Sequence, residues 1–246
     1  MDKKKGTILG YDVDLMSFEE ALNFTTQNIE NGINSQIITI NPEMIELAHK
    51  NQEFSRLLKN ADLVIPDGVG IKLALKINGI VQENIPGIEF SKELIKTAET
   101  KGYRVGLLGT KEEIIQKAKS KLLEECPKLN IVYTRNGYFC IEDEETIKDE
   151  IVKANPQILL AALGAPKQEL FCEKLKEKLT GTAFIGVGGS FDVWSGVVQR
   201  APKIWQNLGL EWLYRTIKEP QRFKRIFPTL PMFLIKVIIE AATTKK

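Results

Sequence analysis

The stretch Ile158-Leu159-Leu160-Ala161-Ala162-Leu163-Gly164-Ala165-Pro166-Lys167-Gln168-Glu169 reads as a strand, a loop and a helix start. An apolar run closed by Gly and Pro suits a buried strand, and the following Glu169-Leu170-Phe171-Cys172-Glu173 resumes with helical spacing. Ligands of open α/β sheets bind beyond the carboxyl ends of the strands. At that position the chain offers a cation, Lys167, and an amide, Gln168, beside Gly164. Proline near a helix start is also an ordinary turn, so the stretch alone reads equally as a site or as a turn.

The same alternation continues in both directions. Residues 36–40, 62–65, 104–108, 130–133 and 182–187 read as strands, and residues 68–77 and 142–154 as helices. Ser17-Phe18-Glu19-Glu20 and Thr110-Lys111-Glu112-Glu113 have the form of capping boxes. Asn41-Pro42-Glu43 starts a helix with Asn as cap and Pro in the first turn. This rhythm predicts an α/β fold, a Rossmann-like, mostly parallel sheet with helices on both faces. It ends near Val193, so residues 1–195 are expected to form the α/β domain. Residues 196–246, with Pro202, Pro220, Pro228 and Pro231, are expected to form a C-terminal appendage of short helices.

Composition removes several function classes. Lys and Arg number 34 against 32 Asp and Glu, so the chain as a whole lacks the basic character of a nucleic-acid binder. Cys126, Cys140 and Cys172 share no C-x-x-C spacing, which argues against a disulfide framework and a zinc site. His49 is the single histidine and reads as structural or solvated. The basic start has no apolar run behind it and is not expected to be a signal peptide. No stretch reaches the roughly 20 apolar residues of a membrane span, since 226–239 is interrupted by Pro228, Pro231 and Lys236.

Three other strand ends carry polar groups. Thr39 closes one strand and Asn41 caps the next helix. Asp67 stands between Pro66 and Gly68, where a carboxylate serves either as a general base or as a helix cap. Gly186-Val187-Gly188-Gly189-Ser190 lets backbone N–H groups approach a ligand. It is neither G-x-G-x-x-G nor a P-loop, which weighs against a nicotinamide-dependent dehydrogenase. In the appendage, Arg215, Arg222 and Arg225 lie among Trp212, Tyr214, Phe223 and Phe227, with Ile204, Leu208, Leu213 and Ile217 as an apolar stripe. Such a basic, apolar-faced segment suits an anionic membrane surface; it also suits packing on the α/β domain or on a second subunit.

Taken in order, these segments resemble the WecG/TagA/CpsF glycosyltransferase family. The matching blocks are 39–43, 61–70, 136–139, 163–169, 185–192, 200–202 and 208–215, then Lys218-Glu219-Pro220 with Arg222 and Arg225. The resemblance implies an inverting, metal-independent, UDP-sugar-dependent transferase that needs no cofactor. It would be a peripheral protein, and a homo-oligomer, at the cytoplasmic face of the cell membrane. Its TagA branch moves N-acetylmannosamine from the UDP-sugar donor to undecaprenyl-diphosphate-linked N-acetylglucosamine, forming the β1,4 linkage that begins the wall teichoic acid linkage unit. The resemblance makes Asp67 the base, with Thr39 and Asn41 beside it. Gln168, Lys167, Gly164, Gly188 and Gly189 would bind substrate, and Arg215, Arg222 and Arg225 would meet diphosphate charge. One position departs: the family carries Arg in a Glu-Arg-Val-x-Gly segment, whereas this chain reads Glu83-Asn84-Ile85-Pro86-Gly87. Asn84 therefore leaves open a related transferase for another UDP-sugar, such as a mannosaminuronic acid or hexose donor. The alternative from another class is a non-catalytic sugar-nucleotide-binding adaptor at the membrane.

Overall fold

A computed structural model describes residues 3–207, 210–218 and 223–244; within these, the side chains of residues 207, 212, 215, 216, 218, 223–228 and 244 are outside the description. Among the described residues a parallel six-stranded sheet runs in the order β4 (Leu63–Pro66), β3 (Ser35–Ile40), β8 (Ala183–Gly186), β7 (Ile158–Ala162), β5 (Arg104–Gly109), β6 (Asn130–Arg135). The apolar run that decided the fold is β7, with a neighbour on each side. Its side chains alternate, as a strand of period two requires. Ile158 and Leu160 join one core, and Leu159 and Ala161 the other.

Helices cover both faces. On one lie α1 (Phe18–Glu30), α5 (Gly87–Lys101), α6 (Glu112–Glu125) and α9 (Ser190–Trp194), burying Phe90, Leu94, Ile115 and Phe191 against Ile37, Ile65, Leu107 and Ile185. On the other lie α2 (Pro42–Ala48), α3 (Gln52–Asn60), α4 (Val69–Ile77), α7 (Glu144–Ala154) and α8 (Lys167–Lys176). The Ser17–Glu20 capping box closes as expected, with Glu20 N–H donating to Ser17 Oγ at 3.2 Å and Ser17 N–H to Glu20 Oε2 at 2.7 Å.

Several expectations need correction. The second capping box does not form: Thr110 has φ +48° and Lys111 is the cap residue of α6. The Thr110 backbone is committed instead, donating to Ala162 O and accepting from Gly137 N–H. The start of the chain holds an element that the sequence reading did not name: β1 (Lys5–Ile8) and β2 (Tyr11–Asp14) form an antiparallel hairpin. Asp14 Oδ2 takes the Val64 N–H at 2.8 Å, covering the β4 edge. The chain past Ser195 is not built of short helices alone. After α10 (Lys203–Asn207) and α11 (Glu211–Lys218) comes the 22-residue α12 (Phe223–Thr244), which passes through positions 228 and 231. Proline inside a helix costs about 3 kcal/mol. Here the burial of Phe233 and Val237, both 0% exposed beside Ile45, Ile71 and Leu75, offsets it.

Candidate active site

Because β4, β3, β8 and β7 are consecutive neighbours, the residues that follow them share one edge of the sheet. Thr39 pairs with Ile65, and the chain leaves β4 at Asp67, whose N–H donates to Ile40 O at 2.9 Å. Asn41 caps α2: its Oδ1 accepts the Met44 N–H at 3.1 Å. That commits the carbonyl and leaves the amide NH2 as the group Asn41 can offer a ligand. Gly186 pairs with Ala161, and Val187 N–H extends the ladder to Ala161 O at 2.8 Å. Gly188 and Gly189 lead only into the five-residue α9. Gly164 closes β7 and precedes α8.

The segment 84–87 lies along the ends of β4 and β3. Ile85 N–H donates to Pro66 O at 2.8 Å. A methyl group on Gly87 would come within 2.8 Å of Thr39 Cγ2 and 3.0 Å of Thr39 Oγ1. The absence of a side chain there is what lets α5 start against Thr39. Asn84 is thereby brought to the same edge as Asp67, and its Oδ1 is buried without a hydrogen-bond partner among the described residues.

Of the three polar residues opening α8, Lys167 is exposed and holds its Nζ 4.2 Å above the Phe139 ring. Gln168 and Glu169 are buried, at 5% and 3% exposure. Gly164 N–H donates to Gln168 Oε1 at 3.1 Å, and Gln168 Nε2 donates to Glu169 Oε1 at 2.6 Å. Burial pushes the Glu169 carboxyl up to about 7, against the opposing effect of the Gln168 hydrogen bond. The folded protein therefore binds this proton more tightly than the unfolded chain, whose carboxyl titrates near 4.5. Stability is expected to be highest below pH 4.5 as far as this group is concerned, and to fall as pH rises to about 7. At about 1.4 kcal/mol per pH unit the loss is about 3 kcal/mol. Denaturant unfolding of Glu169→Gln across pH 5 to 8 should show that slope removed; an unchanged slope would assign the titration elsewhere.

Sequence reasoning named Glu169 in its quoted stretch but gave it no role. The signal was available: Glu169 lies three residues before Cys172 and six before Leu175, on the apolar stripe of α8.

Beyond Ser195, Arg200 pairs with Glu89 in the first turn of α5 and with Glu211 at 3.7 Å. Trp205 and Tyr214 join α10 to α11, ring centroids 5.7 Å apart. Arg222 lies outside the described residues; Arg215 and Arg225 belong to α11 and α12, with their side chains outside the description. Leu208 is also outside it, and Ile204 and Ile217 are exposed. The later part of α12 is tied to the elements that follow the site residues. Leu230 sits where a side chain on Gly70 of α4 would fall, as does Pro42 of α2. Lys236 pairs with Glu46 at 2.6 Å, and Leu9 N–H donates to Glu240 at 2.9 Å. Among the described residues no group of three or more His, Cys, Asp or Glu could hold a metal ion, and no helix is long and apolar enough to cross a membrane. Cys126 and Cys172 are buried and Cys140 exposed, all as free thiols.

An open parallel sheet with a carboxylate, a hydroxyl and two amides beyond the carboxyl ends of β4, β3 and β7, and glycines beyond β8, has the layout in which α/β proteins bind ligands at that edge. The chain belongs to the family described as "Glycosyl transferase WecG/TagA/CpsF family", whose model matches residues 6–246, and it is a glycosyltransferase. It is 35% identical over 218 residues to the N-acetylglucosaminyldiphosphoundecaprenol N-acetyl-beta-D-mannosaminyltransferase of Bacillus subtilis (strain 168), covering 88% of this chain and 84% of that one. To the protein of the same name from Staphylococcus aureus (strain MW2) it is 31% identical over 247 residues, covering 98% and 95%.

Proposed function

We propose that the protein transfers N-acetylmannosamine from a UDP-sugar to undecaprenyl-diphosphate-linked N-acetylglucosamine, forming the β1,4 linkage of the wall teichoic acid linkage unit. The observation that carries this reading is the near full-length similarity to relatives bearing that activity in their names, together with the one edge that Thr39, Asn41, Asp67 and Gln168 share.

The reaction is a single displacement with inversion. Asp67 takes the proton of the acceptor hydroxyl while that oxygen bonds to the anomeric carbon, and the bond to the diphosphate breaks with its electron pair leaving on UDP. Thr39 and the Asn41 amide position sugar hydroxyls, and Gln168 contacts the sugar or nucleotide. Gly164, Gly188 and Gly189 allow close backbone approach, and Lys167 supplies a cation at the rim. Residues 1–195 thus carry the base, and residues 196–246 bring Arg215, Arg222 and Arg225 to the leaving diphosphate, in place of a metal. Met232, Ile235, Ile238 and Ile239 on α12 are each more than half exposed. They support seating on the cytoplasmic membrane face. Exposed Ile204 and Ile217 support self-association.

UDP release by the purified protein, with a panel of UDP-sugars and a soluble analogue of the lipid-linked acceptor, tests the reading. UDP-N-acetylmannosamine should be turned over fastest, only with acceptor present, and at the same rate in excess EDTA. Asn84 in place of the family arginine favours including mannosaminuronic acid and hexose donors. Faster turnover of one of these would reassign the donor; no release with any pair would favour a non-catalytic adaptor.

A further inference from the structure

Glu169 has no part in the displacement above, yet its placement is unusual. It is 3% exposed, and its Oε2 has no hydrogen-bond partner among the described residues. A buried, half-satisfied carboxyl is costly, and an apolar residue of similar size would pack there more cheaply. Among the described residues no cation compensates it. Lys167 is engaged over Phe139, and α8 packs on β3, β7, β8 and α3, whose described residues offer this carboxyl no charged partner. From β3 comes Gln36, whose Nε2 donates to the Glu169 backbone carbonyl at 2.8 Å. From α8 itself comes the buried Cys172 thiol, pushed up by burial and, secondarily, by the Glu169 charge.

What the carboxyl does hold is Gln168. That carboxamide is fixed at both ends, its oxygen by the Gly164 N–H at 3.1 Å and its nitrogen by Glu169 Oε1 at 2.6 Å. A flipped amide would set NH2 against N–H and carbonyl against carboxyl, so only one orientation satisfies both neighbours. In that orientation one amide hydrogen and one carbonyl lone pair stay uncommitted among the described residues. The pair rests directly on the end of β8. A methyl group on Gly186 would lie 2.3 Å from Gln168 Nε2 and 2.6 Å from Glu169 Oε1.

We propose that Glu169 is a positioning residue for the transfer reaction: its buried carboxyl locks the Gln168 carboxamide in the one orientation that presents a free N–H and a free carbonyl lone pair to the bound sugar nucleotide. This rests on the reading of Gln168 as a substrate contact. It accounts for a costly carboxyl being kept inside a helix face that a leucine would fill.

The test uses the full-length protein and UDP-release kinetics with varied UDP-N-acetylmannosamine. Four variants are compared: Gln168→Ala, Glu169→Leu, Glu169→Gln and the Gln168→Ala/Glu169→Leu double. Glu169→Leu should unfold at higher denaturant than the parent at pH 8, and yet lose on the order of ten- to a hundred-fold in kcat/KM through misplacement of Gln168. A merely structural residue would not give more stability with less activity. Glu169→Gln, whose carbonyl accepts the same hydrogen bond, should recover most of the loss. In the Gln168→Ala background, adding Glu169→Leu should change kcat/KM by less than about two-fold, as expected when one residue acts through the other. Losses that multiply in the double variant, or a Glu169→Gln as poor as Glu169→Leu, overturn the proposal while leaving Gln168 as a contact. A Gln168→Ala with parental kinetics removes Gln168 from the site and the proposal with it.

Discussion

Asp67→Asn should lower kcat by about a hundred- to ten-thousand-fold, the usual contribution of a positioned general base, while leaving the melting temperature within a few degrees of the parent. The carboxylate follows β4 beside Thr39, and its backbone N–H is bonded to Ile40 O whichever side chain it carries. Asparagine keeps the shape but removes the negative charge, and with it the ability to take a proton. UDP release under saturating donor and acceptor reads the effect, with circular dichroism confirming the fold. Turnover near the parental rate would show that the acceptor hydroxyl loses its proton elsewhere.

The second large effect is on stability. Phe233→Ala should destabilise the protein by about 3–5 kcal/mol, the range for emptying a buried aromatic site, out of the 5–15 kcal/mol typical of a domain. Phe233 is 0% exposed within the cluster of Ile38, Met44, Ile71 and Ala74. Urea unfolding measures it; a loss below about 1 kcal/mol would mean that α12 contributes little to the core. The same packing bears on any truncation after Ser195. Such a protein loses Phe233, Val237, the Lys236–Glu46 pair and the Glu240 bond to Leu9 N–H together. A fall in its activity would therefore combine a weakened core with the loss of Arg215, Arg222 and Arg225, and single arginine substitutions separate the two.

Much of the α/β frame was legible because its strands are short apolar or β-branched runs ended by Gly, Pro or Asp, with periods that leave little ambiguity. Residues 158–163 became β7 to within one residue. The order β4-β3-β8-β7 was not legible, since nothing in the chain states which strands become neighbours. That order, more than any motif, is what brings Thr39, Asp67 and Gln168 to one edge. The β1–β2 hairpin escaped notice because its strands are four residues long and interleaved with Lys and Asp. Its turn signal was present in Leu9-Gly10, both with positive φ. The prolines at 228 and 231 misled in the other direction, because burial of Phe233 and Val237 overrides local propensity. The Thr110 box failed because its backbone is claimed by Ala162 and Gly137, partners distant in sequence.

Gly87 and Gly186 have ordinary backbone angles, so the path of the chain does not call for glycine at either. Crowding does: each surrenders its side-chain volume to a neighbour, Gly87 to Thr39 and Gly186 to Gln168 and Glu169. Alanine at 186 therefore requires that both Gln168 and Glu169 give way, and alanine at 87 that Thr39 does. Each glycine is thus expected to change together with the side chain that fills its space. The two empty positions are as exacting as any polar residue, because a side chain at either displaces the one beside it.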